Sequence, residues 1–233
     1  WLRGLDQRGY VVGIGTVDDG MDVLVDDTTD DMEIMNALSP SEQPYFETGV
    51  IKHARNRIGW LLVLMLSATL TQTIIAHYQE AFTAVPLLVS FIPMLTDTGG
   101  TCGSPSSTLI IRGIALDEIH FKDIFKVIFK EFRVAILVGA ALAVVNGIYM
   151  VIRYHDPMLA LLVSISLVAT ILIAKLIGCV LPLVAKKLRL DPAIMAAPLI
   201  TTIVDAFALI MYFKIAQVIL GLSKEEGISL LFF

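Results

Sequence analysis

Five apolar runs, each close to the length that crosses a bilayer, leave this chain little freedom in choosing a fold. A span needs about 20 predominantly apolar residues, and such runs occur at about 58–76, 84–111, 134–152, 158–185 and 193–220. Within hydrocarbon every backbone N–H and C=O must find a partner, so runs of this length fold as helices. The 233 residues are 56% hydrophobic and 17% charged, whereas soluble domains carry about 25% charged residues. The expected fold class is therefore an all-α membrane protein with five transmembrane helices per subunit, embedded in a cell membrane. Its net charge of −5 offers no basic surface for nucleic acid, so no such partner is expected.

The second run is interrupted by Pro93-Met-Leu-Thr-Asp97-Thr-Gly-Gly-Thr-Cys-Gly-Ser-Pro105-Ser-Ser-Thr108. Polar or broken spans persist only against protein or a watery cavity, and Gly- and Pro-interrupted spans are where transporters hold their substrates. Asp97, Gly99, Gly100, Thr101, Pro105 and Thr108 are accordingly expected to line a pore or a substrate site. Asp97 either sits at the pore mouth or caps a break before Gly99-Gly100.

Ionisable groups inside spans are costly and mark functional sites by default. Besides Asp97, those well away from the run ends are Lys175 and Asp205. Asp205 ends Pro198-Leu-Ile-Thr-Thr-Ile-Val-Asp205, and Thr201 and Thr202, four and three residues earlier, share its helix face. Pro198 has no N–H and is expected to leave the carbonyl of Ile194 unbonded. A carboxylate, two hydroxyls and a free carbonyl form an oxygen-rich line suited to a hard cation; the structural alternative is an aspartate hydrogen-bonded to a neighbouring helix. Lys175 would repel a cation in its path, so it is read as structural, paired with an acid or snorkelling. Cys102 and Cys179 lack ligand-like spacing and read as packed thiols.

Residues 1–48 hold 11 of the 22 acidic residues against Arg3 and Arg8 alone. Residues 10–17 read as a strand following a turn at 6–9, and 18–25 open a short helix. One strand and one helix cannot bury a core, so 1–28 reads as the end of a domain, and the start as one cut from a longer chain. An acidic helix is expected over 30–38, a break at 39–44, and a basic approach to the membrane over 45–57. The crowded acids from Asp18 to Glu33 are either a solvated face or a cluster screened by a cation. Lys and Arg before the first span and in alternate loops number 11, against Arg153, Lys214 and Lys224 on the other side. The N-terminus is therefore expected in the cytoplasm and the C-terminus outside.

These motifs resemble the MgtE family of magnesium channels and transporters. Gly9-Tyr-Val-Val-Gly-Ile-Gly-Thr-Val-Asp-Asp19 is similar to the end of a CBS domain, and Thr29-Asp-Asp-Met-Glu33 to the family's connecting, or plug, helix. The stretches 97–113 and 191–205 resemble its second- and fifth-span signatures. The resemblance implies a CBS fragment over 1–28, a connecting helix and membrane approach over 29–57, a pore domain over 58–222 and an extracytoplasmic tail over 223–233. It implies a homodimer with a magnesium pore on its twofold axis, built by the second and fifth spans, where Asp205 meets the ion through water. Cytosolic magnesium is implied to close the pore at Asp19, Asp22, Asp27, Asp30 and Asp31, and a nucleotide could bind the remainder of the CBS domain. No enzymatic chemistry is implied. The sequence departs from the family at Thr101 (usually Asn), Pro105 (usually Gln), Lys175 (usually uncharged) and Ala208 (often Gly). Other readings are a broader carrier of cobalt, nickel or manganese, a non-conducting magnesium sensor, and an intramembrane aspartyl protease, whose Tyr-Asp and Gly-x-Gly-Asp contexts are missing.

Overall fold

The computed structural model describes residues 2–5, 11–36, 46–78, 85–195 and 197–221. The turn expected at 6–9, the break at 39–44 and the tail at 223–233 lie outside the described residues. The chain divides into two compact units, Trp1–Leu61 and Leu62–Phe233.

The first unit opens with an antiparallel pair, β1 (Leu2–Leu5) and β2 (Val11–Gly15), with Arg3 opposite Ile14 and an irregularity between Gly4 and Leu5. The sequence reading anticipated β2 but not β1, whose four residues are too few to show an alternation. Helix α1 (Val17–Met35) follows. Thr16 caps it, accepting from the Asp19 N–H while the Asp19 carboxylate accepts from the Thr16 N–H, a reciprocal capping box. Two short helices were expected on either side of residue 28. Instead α1 is continuous, because Thr28 and Thr29 turn their hydroxyls back onto the carbonyls of Leu24 and Val25 and leave the backbone ladder intact.

Helix α2 (Val50–His77) contains the division between the units and buries no residue. The second unit continues with a 3-10 turn (Pro86–Phe91), α3 (Ile92–Ala115), α4 (Ile124–Tyr154), α5 (Pro157–Lys187) and α6 (Ala197–Leu220). Among the described residues four helices, α2, α4, α5 and α6, are long and apolar enough to cross a membrane. At 24 residues, or about 36 Å, α3 has the length but not the apolarity. The all-α membrane fold is thus the one the chain has.

The break expected at Gly99-Gly100 lies earlier. The 3-10 turn runs straight into α3, which is unbroken through both glycines and through Pro105. Pro93 sits in the first turn of α3, where its missing N–H is harmless. The 3-10 turn is tied down by the buried Tyr212 hydroxyl, which donates to the Leu88 carbonyl at 2.9 Å.

Helix α5 lies at the centre, packed against α3, α4 and α6, and α3 also packs on α6. Lipid drives no helix association through hydrophobicity, so close approach at small residues supplies the contact. A Cβ at Gly178 would strike the Gly103 carbonyl, and one at Gly103 would lie 3.0 Å from Ile200 Cγ2 and 3.1 Å from the Ala174 carbonyl. At this seam Ala174, Ile200 and Val204 are fully buried, and a larger cluster elsewhere in the unit buries Leu162, Ile171, Leu209 and Phe213. The outer face of α4 stays exposed at Leu137, Val144, Val145 and Ile148, as a lipid-facing surface should.

Gly178→Ala should therefore lower stability by about 1–3 kcal/mol through overpacking, measured by thermal unfolding in detergent. Gly59→Ala, where nothing lies within 4 Å, should gain about 0.5–1 kcal/mol from helix propensity.

Candidate cation path

Helix α3 has two faces of opposite character. Leu95, Gly99, Gly100, Gly103, Ser106, Ser107 and Ile110 are buried, whereas Asp97, Thr101, Pro105 and Thr108 are exposed. The exposed four recur at intervals of three and four, one stripe along the helix. Gly99 and Gly100, expected on the pore wall, are instead inside the helix contact. A Cβ at Gly99 would lie 2.7 Å from Val204 Cγ1, and one at Gly100 2.8 Å from Thr201 Cγ2.

These contacts fix the relation of α3 to α6. Gly99 meets Val204, Gly100 meets Thr201 and Gly103 meets Ile200, so the two helices run antiparallel. That register sets Asp97 level with Asp205 and Thr101 level with Thr201. The carboxylates of Asp97 and Asp205 are near enough to act on one another electrostatically.

On α6, Thr201 and Thr202 both donate to the Pro198 carbonyl, at 2.9 and 2.6 Å. Each hydroxyl keeps its lone pairs for other partners. Pro198, Thr201, Thr202 and Asp205 form one wall of an open cleft of about 290 Å³, closed on its other side by Leu64, Ala68 and Thr71 of α2. The oxygen line differs from the expected one at its proline. Pro198 is the second residue of α6, not an interior proline, so its missing N–H costs the helix nothing, and its own carbonyl anchors the threonines.

On α3, Thr101 donates to the Asp97 carbonyl at 2.9 Å and Thr108 to the Ser104 carbonyl at 3.1 Å. Pro105 has no N–H to give, so the Thr101 carbonyl lacks its partner within the helix.

Lys175 is held as the sequence reading expected, by an acid. Its Nζ lies 3.3 Å from Glu131 Oε2 and donates to Ser106 Oγ at 2.9 Å, while Ser106 donates to the same carboxylate oxygen at 2.9 Å. Sequence reasoning missed Glu131, having begun the third span at 134; α4 in fact starts at Ile124. Lys130, Glu131 and Arg133 made this stretch look like a loop. Cys102 and Cys179 are free thiols, the second fully buried beside Leu183.

The acids of α1 are exposed from Asp18 to Asp31. Asp19, Asp22, Asp26 and Asp30 follow helical spacing along one face, and α1 holds no Lys or Arg. Among the described residues no three His, Cys, Asp or Glu side chains converge on a metal-sized site. Asp19 has one oxygen engaged: the Thr16 N–H and hydroxyl hold its carboxyl below the ordinary value. A depressed carboxyl stabilises the fold above its unfolded pKa of about 3.9 and loses that contribution as pH falls through the folded value. Thr16→Ala should move the Asp19 titration upward and fray the start of α1 in acid, followed by NMR of the Asp19 side chain.

Comparison with known proteins matches residues 92–215 to the MgtE family, described as divalent cation transporter. The chain is 34% identical over 221 residues to the magnesium transporter MgtE of Thermus thermophilus, covering 94% of this chain and 48% of that protein. Against the magnesium transporter MgtE of Bacillus subtilis it is 34% identical over 212 residues, 91% of this chain and 47% of the relative. The Enterococcus faecalis magnesium transporter MgtE is 27% identical over a similar stretch. The chain spans about half the length of these curated relatives.

Proposed function

Since this chain belongs to the MgtE family of divalent cation transporters, we propose that it carries magnesium across the membrane along a path walled by α3 and α6. The observation that carries this reading is the placement of oxygen. Asp205, Thr201, Thr202 and Pro198 of the largely apolar α6 line one cleft, and Asp97, Thr101, Pro105 and Thr108 form one exposed stripe on α3. Polar groups so placed in a bilayer need water, an ion or another protein surface.

The ion site is Asp205, flanked by Thr201 and Thr202. Magnesium gives up its waters reluctantly and is bound by one or two carboxylates with several waters kept. A cleft of about 290 Å³ leaves room for such a hydrated ion. A homodimer is the assembly this reading requires. Twofold symmetry sets two α3 stripes and two Asp205 carboxylates about one axis, which one chain cannot do alone. Five spans per subunit then include α3, whose polar stripe faces the axis instead of lipid. The basic residues around the spans favour a cytoplasmic N-terminus, which sets the acids of α1 in the cytoplasm.

Those acids are the regulatory element. Asp19, Asp22, Asp27, Asp30 and Asp31 repel one another when magnesium is scarce. Plentiful cytosolic magnesium bridges them, between chains or with other parts of the protein, and closes the path. Shifting a gate from mostly open to mostly closed takes about 5.5 kcal/mol of differential binding, within reach of several such sites acting together.

Asp205→Asn should reduce magnesium flux into vesicles by more than about tenfold with folding preserved. Flux at the parent's rate would refute the ion site. Competition by cobalt, nickel and manganese separates a magnesium-selective path from a broader carrier, a question sharpened by the hydroxyl of Thr101 and the free carbonyl ahead of Pro105. Magnesium should also protect residues 18–47 from proteolysis in the full-length protein. Equal cleavage with and without the ion removes the regulatory role of α1.

A further inference from the structure

The transport reading leaves one polar cluster without a role. Glu131 of α4, Lys175 of α5 and Ser106 of α3 meet in the interior, with side-chain exposures of 11% and 12% for the ion pair and 1% for Ser106. The serine completes the ring, accepting from Lys175 Nζ and donating to Glu131 Oε2, both at 2.9 Å. A buried ion pair is weak evidence for stability, since well-packed apolar residues usually serve as well; its best-attested use is to specify one register.

The place where the pair grips α3 gives that use a meaning. Ser106 follows Pro105, the one residue inside α3 that cannot donate to the helix ladder. The helix is least constrained by its own hydrogen bonds at this point. Ser106 also points away from the Asp97–Thr101–Pro105–Thr108 stripe, being buried while all four are exposed. The glycine contacts at Gly99, Gly100 and Gly103 leave no room for a Cβ and hold α3 sterically ahead of Pro105, whereas the next glycine, Gly113, meets Ile119 instead of α5 or α6. Beyond the proline the charged, three-membered hydrogen-bonded ring resists rotation, because turning α3 by one residue there would leave a buried charge short of a partner.

We propose that the Glu131–Ser106–Lys175 ring is a positioning latch that sets the rotation of α3 about its axis at the Pro105 weak point, and so decides which face of α3 lines the cation path. The proposal rests on the reading of α3 and α6 as walls of that path. Glu131, Lys175 and Ser106 are positioning residues and touch no ion.

The test reports on the rotation of α3 itself. In full-length protein carrying Cys102→Ala and Cys179→Ala, a single cysteine is placed on the stripe (Thr108→Cys) or on the buried face (Ile110→Cys). Its reaction with a water-soluble thiol reagent is followed in lipid vesicles. With the latch intact, the stripe cysteine should react at least about tenfold faster than the buried one, and Glu131→Gln/Lys175→Met should shrink that contrast by a similar factor. Ser106→Ala, which keeps the ion pair, should shrink it as well, and the charge-swapped Glu131→Lys/Lys175→Glu should restore it. A purely stabilising pair predicts otherwise. The neutral double variant would then keep the full contrast together with the parent's magnesium flux and ion preference, and that result, or an unreactive Thr108→Cys with the latch intact, overturns the latch. If the latch variants collapse the contrast while Asp205→Asn still carries magnesium at the parent's rate, the latch stands and the cation-path reading falls.

Discussion

The approach of α3 to α5 and α6 at Gly103 and Gly178 is the contact on which the rest of the membrane unit depends. At this seam one helix's carbonyl lies where the other's Cβ would be. In lipid, association gains nothing from burying apolar surface that is already in oil, so contact has to come from packing. Because Gly99, Gly100 and Gly103 lie on one side of α3, that side is committed to protein. The opposite side, with its aspartate, hydroxyls and proline, is left outward. The polar stripe is thus the counterpart of the glycine face, and neither could move along the helix without the other.

The same unit separates two kinds of charged cluster. Glu131 and Lys175 cancel one another, with Ser106 filling a remaining hydrogen bond, so the cluster is complete within one chain. Asp205 and Asp97 stand level on neighbouring helices and carry the same sign. Two like charges in a bilayer are favourable only when something positive is shared between them. The first cluster is complete by itself, and the second is the one on which the proposed cation path rests.

Much of this was legible in the sequence, for physical reasons that differ from residue to residue. The apolar runs gave away the helices because length and hydrophobicity are local properties. Asp205, Thr201 and Thr202 were visible as a line because helical spacing is local too, and Lys175 was recognised as structural because a cation does not belong in a cation path. Glu131 was hidden by its neighbours. Lys130 and Arg133 are exposed and end the apolar run, although the helix continues beneath them. The continuity of α3 through Gly99 and Gly100 was equally invisible, since glycines that would weaken an isolated helix are here required by α5 and α6. Pro198 was read as an interior proline because the start of α6, after the 3-10 turn at Pro192–Met195, leaves no mark in the hydropathy.

The two threonines on α6 carry a consequence beyond holding their helix together. Both hydroxyl hydrogens are turned inward to the Pro198 carbonyl, and Asp205 when ionised has none to give. The cleft wall they form can therefore accept hydrogen bonds but not donate them. Water around a metal ion points its hydrogens outward in every direction, while water around chloride points its oxygens outward. Such a wall matches the outside of a hydrated cation and mismatches that of a hydrated anion, so it can sort ions by the polarity of their coats before any water is removed.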